Sequence, residues 1–209
     1  MPIRVSHIEN VMSLQLIKEQ KKVLRSLFKE KRSILSIEER KHFSEKIADG
    51  FLSLKEFASA DVICSYASFG DEVSTAKVNE TLLSMKKILL LPRIYAKKSM
   101  HMIQVTNETK YEVNAFGIQE PIGKPYIIQD VPTVLCIMPL LAYDEQGHRL
   151  GYGGGFYDVF LDQHPHIYTV GFAFSTQLSK ETLPIDMHDH IPDCIIDEYG
   201  IRYSTKKPA

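Results

Sequence analysis

Four of the eleven glycines in the chain fall within five positions, Gly151, Gly153, Gly154 and Gly155, with Tyr152 the one side chain among them. A short apolar run over 134–138 precedes them, and Phe156, Val159 and Phe160 at helical spacing follow, so the segment reads strand–loop–helix. Glycines let backbone N–H groups approach a ligand closely, and a helix N-terminus carries about half a positive charge. That chemistry is a phosphate cradle; a flexible hairpin is the alternative. Arg149 at the edge of the cluster favours an anionic ligand. Neither familiar nucleotide fingerprint fits. A dinucleotide loop starting at Gly151 needs glycine where Phe156 stands, and a Walker loop needs Lys and Ser or Thr after its last glycine.

Asp158 lies three residues past the last glycine. A carboxylate there can simply complement the helix dipole, but beside a polyphosphate it needs an intervening cation, and Mg²⁺ uses one or two carboxylates with phosphate oxygens and water. Asp189, in the polar loop 184–190, is a second such acid. His188 and His190 flank it without the cysteine partner or i,i+4 spacing of a transition-metal pair. Near the N-terminus, Lys21 interrupts the apolar stripe Leu14, Ile17, Leu24, Phe28, and Arg25 follows one turn on. Both either snorkel at the stripe's edge or point inward at bound phosphates. The loop after the first strand carries Asp71 and Glu72, and Arg93 follows the second strand. In open α/β sheets this strand-end rim is where ligands bind, although either acid could instead cap the following helix.

The elements that position these residues follow from texture. Helical spacing without Gly or Pro runs from Val11 to about Lys31, and a second helix opens at Ser36 with Glu39 completing a capping box. Short, non-alternating apolar runs over 61–66, 88–91 (stopped by Pro92), 134–138, 168–174 and from 194 are strands covered on both faces. A helix over 74–86 and less regular strands over 100–105 and 111–118 lie between them. The fold class is therefore α/β: three α/β/α layers around a mostly parallel central sheet, preceded by two N-terminal helices. The whole 1–209 chain forms one domain, with residues 1–12 a loose extension.

Composition bounds the function. The chain has 44% hydrophobic and 24% charged residues, which excludes wholesale disorder, and 25 basic against 26 acidic side chains give a net charge of −1. No global field draws it to nucleic acid or membrane, so an anion must be held by a local cluster. The three cysteines, Cys64, Cys136 and Cys194, sit in apolar runs and read as buried small hydrophobes in a reducing, cytoplasmic compartment. No apolar run approaches a membrane span.

These residues resemble the 5-formyltetrahydrofolate cyclo-ligase family. Its signature, Pro-x-Leu-x-aromatic-Asp-x-x-Gly-x-Arg-Leu-Gly-x-Gly-x-Gly-Tyr-Tyr-Asp, runs here from Pro139 to Asp158 with one departure, Phe156 for the first Tyr. Flanking elements are similar too: Lys21 to Arg25, Glu72, Leu91-Pro92-Arg93, Glu120-Pro121, Gln177 and His188-Asp189. The resemblance implies an ATP- and Mg²⁺-dependent ligase that phosphorylates the formyl oxygen of 5-formyltetrahydrofolate and closes N10 on the activated carbon. It implies that Lys21, Lys22, Arg25, Arg149, Leu150, Gly151, Tyr152, Gly153, Gly154, Gly155, Phe156 and Tyr157 bind ATP, with Lys21 and Arg149 catalytic. Ala67, Glu72, Tyr152, Gly153 to Gly155 and Phe156 would bind the folate, and Asp158 and Asp189 the Mg²⁺. Tyr152 and Phe156 could instead be ordinary core aromatics. The implied partners are small molecules, a reduced folate and ATP, acting on a monomer. Three competing readings are a same-fold relative without this activity, placed near thiamine metabolism, a non-catalytic nucleotide-binding module, and a dehydrogenase.

Overall fold

Nothing between Ile3 and Ser33 breaks a helix, and in the computed structural model α1 spans that whole segment. The structure describes residues 3–96 and 99–205, with side chains from Gln15 onward. Residues 3–12, expected as a loose extension, are thus the first turns of α1; Met1 and Pro2 lie outside the described residues. Ser36 ends the connection and caps α2 (Ile37–Leu52): its Oγ accepts from the Glu39 N–H at 3.1 Å, and the Glu39 carboxylate accepts from the Ser36 N–H at 2.8 Å. The short α3 (Lys55–Ser59) leads into β1 (Val62–Cys64).

The chain then runs through α4 (Ala76–Ser84), β2 (Ile88–Ala96), β3 (Ser99–Val105), β4 (Tyr111–Val113), β5 (Gln119–Pro121) and β6 (Val134–Pro139). A two-residue hairpin pair, β7 (Ala142–Tyr143) and β8 (Arg149–Leu150), precedes α5 (Phe156–Gln163). It closes with β9 (Tyr168–Phe172), a 3₁₀ turn at Ser175–Gln177, β10 (Cys194–Asp197) and β11 (Gly200–Tyr203). The seven-stranded sheet has the order β11-β10-β9-β6-β1-β2-β3. Its five inner strands are mutually parallel, and β3 and β11 pair antiparallel at the two edges.

Alternation along the strands divides the core into two layers. Ile63, Leu89, Leu91, Ile137 and Phe172 face α2, α3 and α4, meeting Phe51, Phe57, Val78 and Leu82. Val62, Cys64, Leu90, Cys136 and Met138 face the other way, onto Phe160 and Leu161 of α5. All three cysteines are buried. The sheet is covered on both faces, which is why its inner strands are mostly apolar on both sides rather than alternating. The described helix α1 is long but polar, and no described helix is long and apolar enough to cross a membrane.

Pro92 does not stop β2, contrary to the sequence reading. The pairing of β1 with β2 ends at Cys64 opposite Leu90, so past that point β2 has no strand on its β1 side, and the N–H that proline lacks has no ladder partner to lose. The antiparallel β11 was also unanticipated. Its half-polar sequence fits an edge strand, and Arg202 on it bonds the buried Asp197 of β10 at 2.8 Å.

Candidate active site

The connection from β1 crosses to β2 through α4 on one face, while that from β6 crosses to β9 through α5 on the other. The strand order therefore reverses between β1 and β6, and a crevice opens at their C-terminal ends. Two loops line it: residues 65–75 after β1, and residues 140–155 after β6. Helix α1 lies across the second, burying Phe28 with Leu24 against Ala142, Leu150 and Leu183. Asp144 locks this arrangement from below. Its buried carboxylate accepts from the N–H groups of Gln146, His148 and Leu183 at 2.8–3.0 Å, fastening the hairpin turn to the loop that carries Asp186 and Asp189.

The glycine loop is shaped for close approach. Gly153 has φ +95°, and a Cβ placed there would lie 3.1 Å from the Arg25 guanidinium carbon. Gly155, at φ +67°, precedes α5, and no side chain caps that helix. The first-turn N–H groups of α5 are therefore not taken by a capping side chain. Arg25 donates from Nε to the Gly151 carbonyl at 2.8 Å. Burial lowers its pKa, an effect that nearby Asp189 opposes.

Charges interleave around this loop. The buried Lys21 ammonium bonds Asp189 and also Asp186, the latter at 3.0 Å. Arg149, also buried, bonds Asp158 Oδ1 at 2.6 Å and the His190 carbonyl, while the His190 N–H donates to the same Asp158 oxygen at 3.2 Å. Lys21, Arg25, Arg149, Asp158 and Asp189 thus share one cluster. Asp186 titrates below the ordinary aspartate range: burial works to raise it, but the His188 N–H and Lys21 outweigh that.

On the β1 side, Glu72 accepts from the Phe69 N–H at 2.9 Å. Burial pushes its carboxyl above the usual range, while Tyr152, the Phe69 N–H and Arg32 pull it back. Arg32, from the last turn of α1, bonds the Tyr152 hydroxyl at 2.6 Å and the Asp71 carboxylate. Ala67 is half-buried in the same loop. Arg93 bonds the Pro121 carbonyl at 3.0 Å and Glu112, and so braces the β4–β5 arm.

Several expected residues sit differently. Lys22 is exposed, turned about 100° around the helix from Lys21. Leu150 buries its side chain beneath α1, so only its backbone can meet a ligand in the crevice. Phe156 lies with its ring against Gly154, partly packed on the α5 core, and Tyr157 packs there too with a buried hydroxyl that has no protein partner. Arg32 and Asp186 were missed. Arg32 did carry a signal: it stands four residues past Phe28 and continues the stripe that Lys21 interrupts.

Among the described residues no group of three or more His, Cys, Asp or Glu is placed to hold a metal ion. His190 pairs with Asp162 at 2.8 Å and His188 is exposed, which disfavours a transition-metal pair. Asp158 and Asp189 offer hard oxygen donors, each now bonded to a cation; that suits Mg²⁺ completed by phosphate oxygens and water rather than a dedicated protein cage.

Comparison with known proteins places the chain. It is similar to the 5-formyltetrahydrofolate cyclo-ligase of Mus musculus, 28% identical over 201 residues, covering 90% of this chain and 98% of the relative. The Escherichia coli K12 enzyme of the same name is 29% identical, covering 78% and 92%. Among solved structures, the Aquifex aeolicus 5,10-methenyltetrahydrofolate synthetase superposes with a TM-score of 0.75 at 32% identity, covering 90% of this chain and 95% of that one. Residues 17–198 match the model of the 5-formyltetrahydrofolate cyclo-ligase family, the stretch from Lys21 to Asp189 that builds the crevice, and the chain belongs to that family.

Proposed function

We propose that the crevice cyclises 5-formyltetrahydrofolate to 5,10-methenyltetrahydrofolate at the expense of ATP, releasing ADP and phosphate. The observation that carries this reading is the interleaving of charge: each carboxylate facing the glycine loop is the counter-ion of a cation that a triphosphate would claim. Lys21, Arg25, Arg149 and the loop amides receive the phosphates, and Asp158 and Asp189, released from their pairs, hold Mg²⁺. When bound, Mg²⁺ neutralises charge on the phosphates. Glu72 hydrogen-bonds the pterin, with Tyr152 and Phe156 against its ring.

Phosphoryl transfer asks the protein for positioning and charge neutralisation more than covalent chemistry. The formyl oxygen attacks the γ-phosphorus as its bond to ADP breaks. N10 then attacks the activated carbon, the C–O bond breaks, and phosphate departs with the N10 proton. Lys21 and Arg149 hold the charge that shifts between the transferring group and ADP.

The methenyl product absorbs in the near ultraviolet, so a spectrophotometric assay tests the reading. Absorbance should grow only when 5-formyltetrahydrofolate, ATP and Mg²⁺ are all present. Nucleotide binding without folate turnover would overturn it in favour of a nucleotide-binding protein.

A further inference from the structure

Arg32 has a guanidinium in an environment that surface arginines avoid. It is 3% exposed, its Nη atoms reach the Tyr152 hydroxyl and Asp71, and its Cζ lies 5.7 Å from the Tyr152 ring centroid. Its Nε is buried without a protein partner. A cation in the last turn of a helix ordinarily complements the dipole from solvent, and Lys31 in that same turn stays partly exposed, its ammonium 4.5 Å from the Phe28 ring centroid. Burying a second cation there carries a desolvation penalty that dipole compensation alone does not offset.

Its partners explain the burial. Tyr152 is 120 residues away in sequence and Asp71 is 39 away, one on the glycine loop and the other on the β1 loop. Within 151–155 every other residue is glycine, so Tyr152 is the one side chain by which that loop can be held. Ordering a glycine-rich segment carries the largest backbone entropy loss of any composition. Asp71 is also adjacent to Glu72 in the chain.

We propose that Arg32 is a positioning residue that clamps Tyr152 of the glycine loop to Asp71 of the β1 loop, fixing the folate end of the crevice around Glu72. This rests on the proposed reading of Glu72 as the pterin partner. The charged and titratable groups facing Glu72 are Arg32, Asp71 and Tyr152, with Tyr66 and Tyr157 behind it, while Arg40, Lys41 and Glu45 of α2 and Lys77 and Glu80 of α4 line the same cavity. Of these cations Arg32 is the one whose charge acts on Glu72, and it favours the ionised carboxylate.

The test uses Arg32→Met, Arg32→Lys and Tyr152→Phe. For Arg32→Met, the KM for 5-formyltetrahydrofolate should rise about tenfold, the scale of one lost charged hydrogen bond, and that for ATP clearly less, because Arg25 still holds the Gly151 carbonyl. The acidic limb of kcat/KM for the folate should move to higher pH, because Glu72 loses its cation. Arg32→Lys should restore the pH limb but not the full KM, since one ammonium lacks the fork that spans both partners. Should Arg32→Met fail to fold, Tyr152→Phe alone, losing only a hydroxyl from a half-exposed ring, should still raise the folate KM selectively. Equal rises in both KM values, or lower stability with an unmoved pH limb, would overturn the clamp. Limited proteolysis of the ligand-free protein separates the two readings. Faster cleavage within 151–155 in Arg32→Met, in a wild type that shows no folate turnover, keeps the clamp and discards the proposed function; unchanged cleavage discards the clamp.

Discussion

Glu72 is held in a state that works against the stability of the fold. Its carboxyl titrates above the ordinary range because burial disfavours the charge. A carboxylate with a raised folded-state pKa binds more protons folded than unfolded, so stability falls as pH rises from the unfolded value through the folded one. Glu72→Gln should therefore raise the melting temperature at pH 7.5, with the gain shrinking as pH drops toward 4, while folate turnover is lost. A thermal-melt series across that range, beside the absorbance assay, checks both halves; a gain that is constant with pH would mean that ionisation is not its source. Legibility at this scale followed chemistry. Lys21 and Asp189 were readable because a charge in an apolar stripe and an acid in a polar loop both ask for an explanation. Arg32 was passed over because it stands among Lys29, Lys31 and Glu30, where a solvated charge run is the ordinary pattern, and only the packing of α1 distinguishes it.

Among the elements, the loop between β8 and α5 concentrates the constraint. Gly153 combines a left-handed φ with an Arg25 guanidinium 3.1 Å from any added Cβ. Gly153→Ala should lower stability by only about 1 kcal/mol, since the backbone penalty for one such residue is of that order. Nucleotide affinity should fall more steeply, because the methyl displaces Arg25 from the Gly151 carbonyl. Calorimetric titration with a non-hydrolysable ATP analogue, read beside the denaturant midpoint, checks this; equal losses in both would mean the loop matters only for folding. The capping box at Ser36 and the buried parallel strands were legible because each is a local pattern. Pro92 within β2 was not, since whether a proline is tolerated depends on where the neighbouring strand ends, and that is a fact about β1. The β7–β8 hairpin escaped notice for a similar reason: two-residue strands have no periodicity to read, and Asp144 reveals its purpose only once Leu183 is brought to it.

For the molecule as a whole, the three-layer architecture was readable from the texture of the strands, and the inward turn of α1 at Lys21 and Arg25 was readable too, whereas its reach on to Tyr152 through Arg32 was not, because that partner lies 120 residues downstream. In the crevice Lys21 pairs with Asp189 and Arg149 with Asp158, cation against carboxylate. Either ligand alone would leave charges of one sign unpaired, so ATP and Mg²⁺ should stabilise the protein together more than the sum of their separate effects. At about 100 times the dissociation constant the joint stabilisation is about 2.7 kcal/mol, or roughly 5–10 °C in melting temperature for a chain of this size. Differential scanning fluorimetry with ATP, Mg²⁺ and both, using EDTA for the ATP-only arm, decides it; strict additivity would break the link between the two ion pairs.

The placement of α1 also sets an order of assembly. The helix precedes the sheet in the chain, yet Lys21 meets a partner 168 residues later, Arg25 one 126 later, and Arg32 one 120 later besides Asp71 at 39. Until those distant segments arrive, much of its surface faces solvent, which its polar character tolerates. Closing so long a loop carries a large entropy loss before any contact offsets it, so docking of α1 belongs to the end of folding. The element that comes before the sheet in the chain is thus seated after it, and the sheet can stand complete while the active site still waits for its helix.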